Sequence, residues 1–314
     1  MSLRTVEKLK GLRNPYNSYR DGSDRDIKSE NIRGYDMFPL LYHSCGIFAS
    51  TGSGKTNTIM NILKKKIDKR TKVIFIVPTF HQDNQYKAIK AWMKKKGIDF
   101  EVFDSIQTVG MLTEALQEEF GDDSDSDSVV DEADYETQLA EYKKKLAKHL
   151  EHQYRSTSAI YPHPGTMPEK PRPKKAKKGK SLGRRKLSPD YMIIIDDLTE
   201  KARHPELNTL LKRNRHYKAS VILSSQDVKD IMPSSIGNCL FYLLFPKLPE
   251  DRLKHIYKAA RLMKSTPDGH YETLTWDDFL TLYRYATKFR YNFLYIDTLN
   301  CKFRRNFDEV IEIC

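Results

Sequence analysis

The sequence is poor in cysteine, and its apolar runs are short. Only four cysteines occur in 314 residues. They are far apart and never in a CxxC spacing (Cys45, Cys239, Cys301 and Cys314), which argues against a disulfide framework and against a zinc site. The longest apolar run, CLFYLLF at residues 239–245, is too short to span a bilayer, and the N-terminal stretch lacks the apolar core of a signal peptide. We therefore expect a soluble protein that works inside a cell, without a membrane.

The net charge of +12 is unevenly distributed along the chain. Residues 170–186 hold ten basic side chains and no acidic one, and the rest of the chain has 44 basic against 42 acidic residues. An acidic run lies nearby, at residues 122–134. The overall charge is therefore weak evidence for a nucleic-acid-binding face. The basic stretch itself has three interpretations, namely a nuclear-import signal, an arm that grips DNA, or a solvated linker.

Apolar runs and helical periodicities alternate over two parts of the chain, residues 45–104 and 188–314. The continuous runs at residues 72–78 and 219–225 are rich in β-branched residues, as is typical of strands buried on both faces. Helical patterns separate such runs, and this alternation predicts an α/β fold with a mostly parallel central sheet flanked by helices. Residues 1–44 are predicted to form a lead-in, extended or partly disordered up to about residue 36. Residues 105–187 are predicted to form a charged, partly disordered insertion.

A glycine-rich motif, ASTGSGKT, occupies residues 49–56. It matches the phosphate-binding loop of nucleotide-binding proteins, except that Ala49 replaces the first glycine. A strand-like run precedes the motif and helical spacing follows it, as a phosphate-binding loop requires. Lys55 is predicted to reach the terminal phosphates, and the Thr56 hydroxyl to bind Mg²⁺. The residues predicted to bind the nucleotide are Thr51, Gly52, Ser53, Gly54, Lys55, Thr56 and Asn57.

The apolar run YMIIID at residues 191–196 is predicted to be a strand that ends in Asp196, and Asp197 follows it. A carboxylate at the end of a strand can hold the Mg²⁺ shell, which is the predicted role of Asp196. Asp197 is predicted to orient or deprotonate the attacking water. The pattern alone is a weak signal, because many strands end in an Asp-Asp pair that caps a helix. In combination with the loop, it indicates a nucleotide-hydrolysing site.

Polar side chains flank the apolar run at residues 219–225 on both sides. Gln226 follows it and is predicted to contact the terminal phosphate and the attacking water, with capping of the next turn as the alternative. Arg213 and Arg215 precede it. In a motor that assembles as a ring, either arginine could stabilise transition-state charge on the neighbouring subunit's nucleotide. The alternative is a solvated basic helix end that the helix dipole favours.

These motifs together resemble the genome-packaging ATPases of large eukaryotic DNA viruses, a family in the FtsK–HerA class of P-loop motors. The resemblance rests on ASTGSGKT, IIIDDL, RHYKASVILSSQ, PSSIGN and the C-terminal FRYNFLYIDTLNCKFRRNFDEVI, and it covers roughly residues 45–103 and 191–313. It implies a P-loop NTPase fold of the ASCE, RecA-like type. It also implies a ring, hexameric in the family, that hydrolyses ATP with Mg²⁺ and drives double-stranded DNA into a capsid. Capsid or portal-vertex proteins are the further partners that this role implies.

Several residues match the motif positions of that family, and two positions depart from its pattern. The matching residues are Lys55, Thr56, Asp196 and Gln226. The acidic pair is Asp-Asp where relatives often have Asp-Glu, which gives Asp197 a shorter reach towards the water. Gly237 stands where such motors often carry an arginine, and this favours Arg215 as the arginine that acts on a neighbouring subunit. The catalytic residues implied are therefore Lys55, Asp197, Gln226 and Arg215, with Thr56 and Asp196 at the metal.

Other functions remain open at this point. A different FtsK–HerA-type DNA pump or a helicase-like ATPase would share the same core, although the residues after 239 are too few for a second core domain. An assembly scaffold would bind ATP and barely turn it over. A small-molecule kinase is disfavoured, because the insertion is low in complexity and lacks the paired arginines of a substrate lid. The expected location is the interior of the host cell, in the nucleus or a cytoplasmic virus factory, or in the virion.

Overall fold

The computed structural model describes residues 29–105, 107–120, 186–197, 203–266 and 270–312. The chain divides into two compact units, one of residues 1–114 and 185–314 and the other of residues 115–184. The acidic run and nearly all of the basic stretch lie outside the described residues, so their interpretations stay predictions. Among the described helices, none is both long enough and apolar enough to cross a membrane.

The strands form a nine-stranded sheet and a separate two-stranded hairpin within the described residues. They are β1 (Ser44–Phe48), β2 (Lys72–Ile76), β3 (Phe100–Phe103), β4 (Tyr191–Asp196), β5 (Ala219–Ser225), β6 (Phe241–Leu244), β7 (Met263–Ser265), β8 (Tyr271–Thr273), β9 (Leu294–Asp297), β10 (Lys302–Arg305) and β11 (Glu309–Ile311). The order in the large sheet is β11-β10-β9-β6-β1-β5-β4-β2-β3, and β7 pairs with β8. Six adjacent strands of this sheet, in the spatial order β6-β1-β5-β4-β2-β3, are parallel to one another. Strands β9, β10 and β11 extend the sheet in antiparallel fashion, so the predicted mostly parallel sheet is confirmed.

Seven helices lie in the described residues. They are α1 (Lys55–Lys66), α2 (Asn84–Lys96), α3 (Gln107–Phe120), α4 (Pro205–Arg213), α5 (Pro233–Gly237), α6 (Glu250–Ala260) and α7 (Trp276–Ala286). Helix α2 ends at Gly97, whose φ of 64° lies in the left-handed region that glycine tolerates. Thr275 caps α7 by accepting a hydrogen bond from the Asp278 backbone N–H at 3.1 Å. Helix α3 begins within the residues predicted to be a disordered insertion, because its apolar residues recur at helical spacing.

The parallel strands other than β3, which lies at the edge of the sheet and is only partly buried, are buried on both faces, as their unbroken apolar runs predict. Alternate residues of the central strands, such as Ile47 and Ile194, face a core that includes Ile62 of α1 and Ile89 of α2. The intervening residues, for example Ile193, are equally buried. Helices therefore cover the sheet, and function is left to the ends of the strands.

The expectation of an extended lead-in fails for its described part. Residues 29–31 form a 3-10 helix, and Ile32 bridges to Leu187 beside the sheet. Ile32 is buried, and Phe38 is fully buried, stacked on His43 with 4.3 Å between ring centroids. The scattered apolar side chains of this segment cover the core, although their spacing is neither helical nor alternating. The absence of periodicity was therefore a poor guide to disorder here.

Candidate nucleotide-binding site

Three strands end together at one edge of the sheet. In the register of the sheet, Phe48 of β1 lies opposite Ser225 of β5, and Asp196 of β4 lies opposite Ser224 of β5. The glycine-rich loop, the second aspartate and Gln226 therefore leave the sheet at the same carboxyl edge. Strand β5 lies between β1 and β4, so Gln226 emerges between the loop and the aspartates. Ligands of parallel α/β sheets bind at this edge.

The loop has the backbone conformation of a phosphate cradle. Gly52 and Gly54 have φ angles of 73° and 96°, which L-residues with side chains rarely adopt. Gly54 is the N-cap of helix α1, so the first N–H groups of that helix lie next to the loop without partners in the helix. Ala49 is buried, and its φ angle is not positive. Its N–H donates to the Ser225 carbonyl at 3.3 Å. Its backbone therefore does not need glycine, which explains how alanine replaces the first glycine of the motif.

Lys55 contacts both aspartates. Its Nζ lies 3.1 Å from Asp196 Oδ1 and donates a hydrogen bond to Asp197 Oδ1. The lysine and Asp196 are buried, whereas the Asp197 side chain is about a quarter exposed. The residue predicted to bind phosphate and the predicted acidic pair therefore share one small volume. The Lys55 ammonium contacts the carboxylates here and could contact the phosphates of a bound nucleotide instead, which suits a site for a highly charged anion.

Burial dominates the electrostatics of Asp196. Desolvation raises the pKa of this carboxyl above its usual range, and the Lys55 ammonium opposes that rise. The Tyr86 hydroxyl, at the start of α2, donates a hydrogen bond to Asp196 Oδ2 at 2.5 Å. Sequence reasoning missed Tyr86, because the periodicity of the sequence does not show that α2 approaches β4. A tyrosine in the first turn of a helix that follows a neighbouring strand was the available signal.

Asp197 and Gln226 are joined by a hydrogen bond. Gln226 Nε2 donates to Asp197 Oδ2 at 3.0 Å, and Gln226 Oε1 accepts a hydrogen bond from the Thr51 hydroxyl. The amide thus links the loop to the second aspartate. Asp197 has a φ of 53°, in the left-handed region that aspartate tolerates better than most residues. Backbone strain of this kind clusters at functional sites.

Lys55, Asp196, Asp197 and Gln226 form one cluster. The fold separates the predicted catalytic residue Arg215 from it. Arg213 and Arg215 precede β5 at the amino edge of the sheet, whereas Gln226 follows β5 at the carboxyl edge. The seven residues of β5, at about 3.3 Å each, separate these edges by roughly 20 Å. Neither arginine can therefore act on the nucleotide of its own chain. A Cβ atom on Gly237 would lie 2.8 Å from the Ala259 carbonyl oxygen, so an arginine does not fit there.

The residues present fit a magnesium–nucleotide complex. Asp196 Oδ1 is buried with the Lys55 ammonium 3.1 Å away, and Thr56 places a buried hydroxyl in the first turn of α1. Carboxylate and hydroxyl oxygens are the ligands that Mg²⁺ prefers, and Mg²⁺ often takes only one or two protein ligands beside the phosphates of a nucleotide. Thr56 and Asp196 would hold the ion, which would neutralise charge on the phosphates.

Comparison with known proteins agrees with the loop assignment. Residues 34–79 match the family model DUF87, helicase HerA, central domain. This range contains β1, the loop, α1 and β2. No curated protein matches the chain.

Solved structures are similar to the chain at low sequence identity and with TM-scores below 0.5. The genome packaging NTPase B204 from Sulfolobus turreted icosahedral virus 2, in complex with AMP, is 14% identical over 85% of this chain and 97% of that chain, with a TM-score of 0.45. The sulfate complex of B204 is 14% identical over 87% of this chain and 99% of that chain, with a TM-score of 0.44. EssC (ATPases 2 and 3) from Geobacillus thermodenitrificans is 12% identical over 64% of this chain and 31% of that chain, with a TM-score of 0.32.

The functional conclusion rests on the site and on the family match. A glycine-rich loop opens α1, its lysine contacts an aspartate pair, and an amide from the intervening strand is hydrogen-bonded to the second aspartate. The loop and its flanking strands match the HerA central domain. The chain is a P-loop ATPase, and its residues 34–79 are similar to the central domain of the helicase HerA.

Proposed function

We propose that this ATPase is a motor that translocates double-stranded DNA and packages a viral genome into a capsid. The observation that carries the proposal is the hydrogen bond between Gln226 and Asp197, beside the Lys55–Asp197 contact. It couples a residue that can sense the terminal phosphate to the candidate base. Such coupling suits an enzyme that converts hydrolysis into movement. The HerA-like residues 34–79 and the C-terminal resemblance support DNA as the polymer that is moved.

Each residue of the cluster has a role in the proposed reaction. Lys55 and the N–H groups of the loop bind the phosphates. Thr56 and Asp196 would hold Mg²⁺, which would supply positive charge next to the phosphates. Asp197 accepts a proton from the attacking water, and Gln226 orients that water.

The alternatives differ in what the cluster has to do. A nucleotide-dependent assembly scaffold needs the loop but not a base beside a polar amide, so the Asp197–Gln226 pair favours hydrolysis. Another FtsK–HerA-type pump or a helicase-like ATPase would use the same pair. Those alternatives are therefore separated from a packaging motor by the polymer they act on and not by the residues of the site.

Arg215 supports assembly as a homo-oligomeric ring, a hexamer by resemblance. Because the arginine lies at the edge opposite the loop, a head-to-tail arrangement of subunits is needed to bring it to a nucleotide. We propose that Arg215 stabilises transition-state charge on the neighbouring subunit's phosphates. Capsid or portal-vertex proteins are the proposed docking partners. The proposed place of action is the interior of the host cell, in the nucleus or a cytoplasmic virus factory, or in the virion.

The proposal is tested by measuring ATP hydrolysis with and without long double-stranded DNA, with Lys55→Ala as the control. A DNA-translocating motor is expected to hydrolyse ATP several-fold faster with duplex DNA, and Lys55→Ala should not respond. Hydrolysis that duplex DNA leaves unchanged would contradict the translocation proposal. ATP binding without turnover would favour the assembly scaffold.

The role of Arg215 is tested by mixing two inactive proteins. Lys55→Ala lacks a working loop, and Arg215→Ala lacks the donated arginine. Rings that contain both chains form some interfaces in which an intact loop meets an intact arginine. Activity in the mixture is therefore expected when neither parent is active, and Arg213→Ala serves as the matched control with its own activity retained. A mixture that stays inactive would contradict donation between subunits.

A further inference from the structure

A cavity beside the loop has features that the phosphate chemistry does not use. Its volume is about 600 Å³, and its lining includes Gly54, Asn57 and Asn61, the aromatic residues Tyr291 and Phe293, and, further along α1, Lys64 and Lys65. This volume lies within the range of small-molecule sites. The cavity begins at the glycine that opens α1, so it adjoins the position of the phosphates.

Strand direction explains why the aromatic residues reach the loop. Strand β9 is antiparallel to β6, and Leu294 at its amino end lies opposite Leu244 at the carboxyl end of β6. The residues just before β9 therefore lie at the same edge as the loop, which a parallel strand would have placed at the other edge. A Cβ atom on Gly54 would lie 3.2 Å from Tyr291 Cδ1. The ring thus lies directly against the loop.

Tyr291 is exposed and has an uncommon backbone conformation. Its side chain is 53% exposed, and its φ of 70° lies in the left-handed region, which is uncommon for an aromatic residue. The Arg290 guanidinium lies 4.8 Å from the centroid of its ring. An exposed aromatic ring in a strained backbone beside a phosphate-binding loop is the arrangement expected of a platform for a flat ligand.

Polar groups face the aromatic side of the cavity. Asn57 and Asn61 are four residues apart on α1, so their exposed amides lie on one face of the helix. Each amide can both donate and accept hydrogen bonds, as the edge of a nucleobase does. An apolar aromatic wall opposite such amides suits a heteroaromatic ring with polar edges.

We infer that this cavity binds the base and ribose of the nucleotide whose phosphates the loop holds, with Tyr291 as the stacking platform. The inference rests on the proposed function, since it assigns the base subsite of the same ATP. The phosphates lie on the loop, and the nucleoside extends past Gly54 along the exposed face of α1. Asn57 and Asn61 are the residues that contact the edge of the base.

Binding of ATP and of inorganic tripolyphosphate by calorimetry tests this inference, because tripolyphosphate occupies the loop without a base. Wild-type protein should bind ATP more tightly than tripolyphosphate. Tyr291→Gly removes the ring and keeps the backbone conformation accessible. It should weaken ATP binding about tenfold or more and change tripolyphosphate binding less than about twofold. Tyr291→Phe keeps the ring and should bind ATP as the wild type does. Tyr271→Ala, which removes an exposed tyrosine from β8, is the matched control.

Three outcomes would overturn the inference. The first is a Tyr291→Gly protein that binds ATP with wild-type affinity. The second is an equal loss of affinity for ATP and tripolyphosphate, which would mean that the ring supports the loop and not the base. The third is a wild-type protein that binds ATP no more tightly than tripolyphosphate. A wild-type protein that binds neither molecule would instead contradict the proposed function, and the inference would fail with it.

Discussion

Lys55 Nζ lies 3.1 Å from Asp196 Oδ1, and both side chains are buried. The same ammonium donates to Asp197. One ammonium thus contacts two adjacent carboxylates and can balance one of their two negative charges, and Asp196 is almost fully removed from solvent. The lysine of the loop therefore has a role in stability as well as the predicted role in phosphate binding.

Lys55→Ala should abolish ATP hydrolysis and lower the free energy of unfolding by about 3 kcal/mol at neutral pH. The loss should shrink at lower pH. Burial raises the pKa of Asp196 and Lys55 opposes the rise, so the pKa of this carboxyl rises further in the variant. A group whose pKa is raised on folding favours the folded state at low pH, and that contribution is lost as the pH rises through the folded-state pKa.

Urea denaturation at pH 5 and pH 7.5 measures this dependence. The control is Lys65→Ala on the same helix, whose ion pair with Asp36 is half exposed and worth little. An equal loss of stability by Lys55→Ala at both pH values would show that the lysine does not stabilise the buried carboxylate.

Asp197→Asn should slow hydrolysis by roughly 10²- to 10⁴-fold, the usual contribution of a general base. Asparagine tolerates the φ of 53° at this position and keeps the side-chain shape, so the fold should not change. Single-turnover hydrolysis gives the rate, and titration with ATP gives the affinity. We expect the affinity to stay within a few-fold of the wild type. A variant that hydrolyses ATP at the wild-type rate would exclude Asp197 as the base.

Gly237→Ala should destabilise the protein by about 1–3 kcal/mol, because the new Cβ would lie 2.8 Å from the Ala259 carbonyl oxygen. Gly110 provides the matched control. A Cβ there meets only the flexible Glu206 side chain, at 3.4 Å, and the position is inside α3. Gly110→Ala should therefore be neutral or stabilise by up to about 1 kcal/mol. Thermal denaturation of both variants checks the prediction, and similar shifts in Tm would contradict it.

Lys66 predicts a second dependence of stability on pH. Its Nζ donates to the Leu40 carbonyl at 2.9 Å, and burial lowers its pKa from 10.5 to about 7. Above pH 7 the unfolded chain still binds this proton and the folded protein does not, so the free energy of unfolding rises with pH. The rise from this group approaches 1.4 kcal/mol per pH unit.

Urea denaturation between pH 7 and pH 8.5 measures this rise. Within this window His43 stays neutral in the folded protein, because burial lowers its pKa well below the usual value. Lys66→Met is neutral at every pH, and its stability should be much less dependent on pH. Parallel slopes for the variant and the wild type would rule out a buried lysine with a lowered pKa.

The sequence predicted the parallel half of the fold well, because it is made of unbroken apolar runs between helices. Strands β4 and β5 begin and end at the predicted residues, and the motif residues at their carboxyl ends meet as expected. Strand direction and order are set by tertiary packing, and periodicity does not report them. The approach of Tyr291 to Gly54 depends on β9 being antiparallel, so it could not be predicted.

The contact of Tyr86 with Asp196 and the packing of residues 32–38 also depend on tertiary structure. In the lead-in, Ile32 stands alone and Phe38 lies in the short run MFPLLY at residues 37–42, and only the shape of the core explains why both are buried. The local sequence pattern thus indicates the phosphate-binding loop and the aspartate pair, and it does not indicate the residues that surround them.

The most direct measurement of the central claim is displacement of a triplex-forming oligonucleotide from long duplex DNA. A motor that moves along double-stranded DNA removes the third strand without separating the duplex. Wild-type protein is predicted to displace it in an ATP-dependent manner, and Lys55→Ala and Asp197→Asn are predicted to leave it bound. Rapid ATP hydrolysis by the wild type in the same reaction, with the third strand still in place, would contradict translocation on double-stranded DNA.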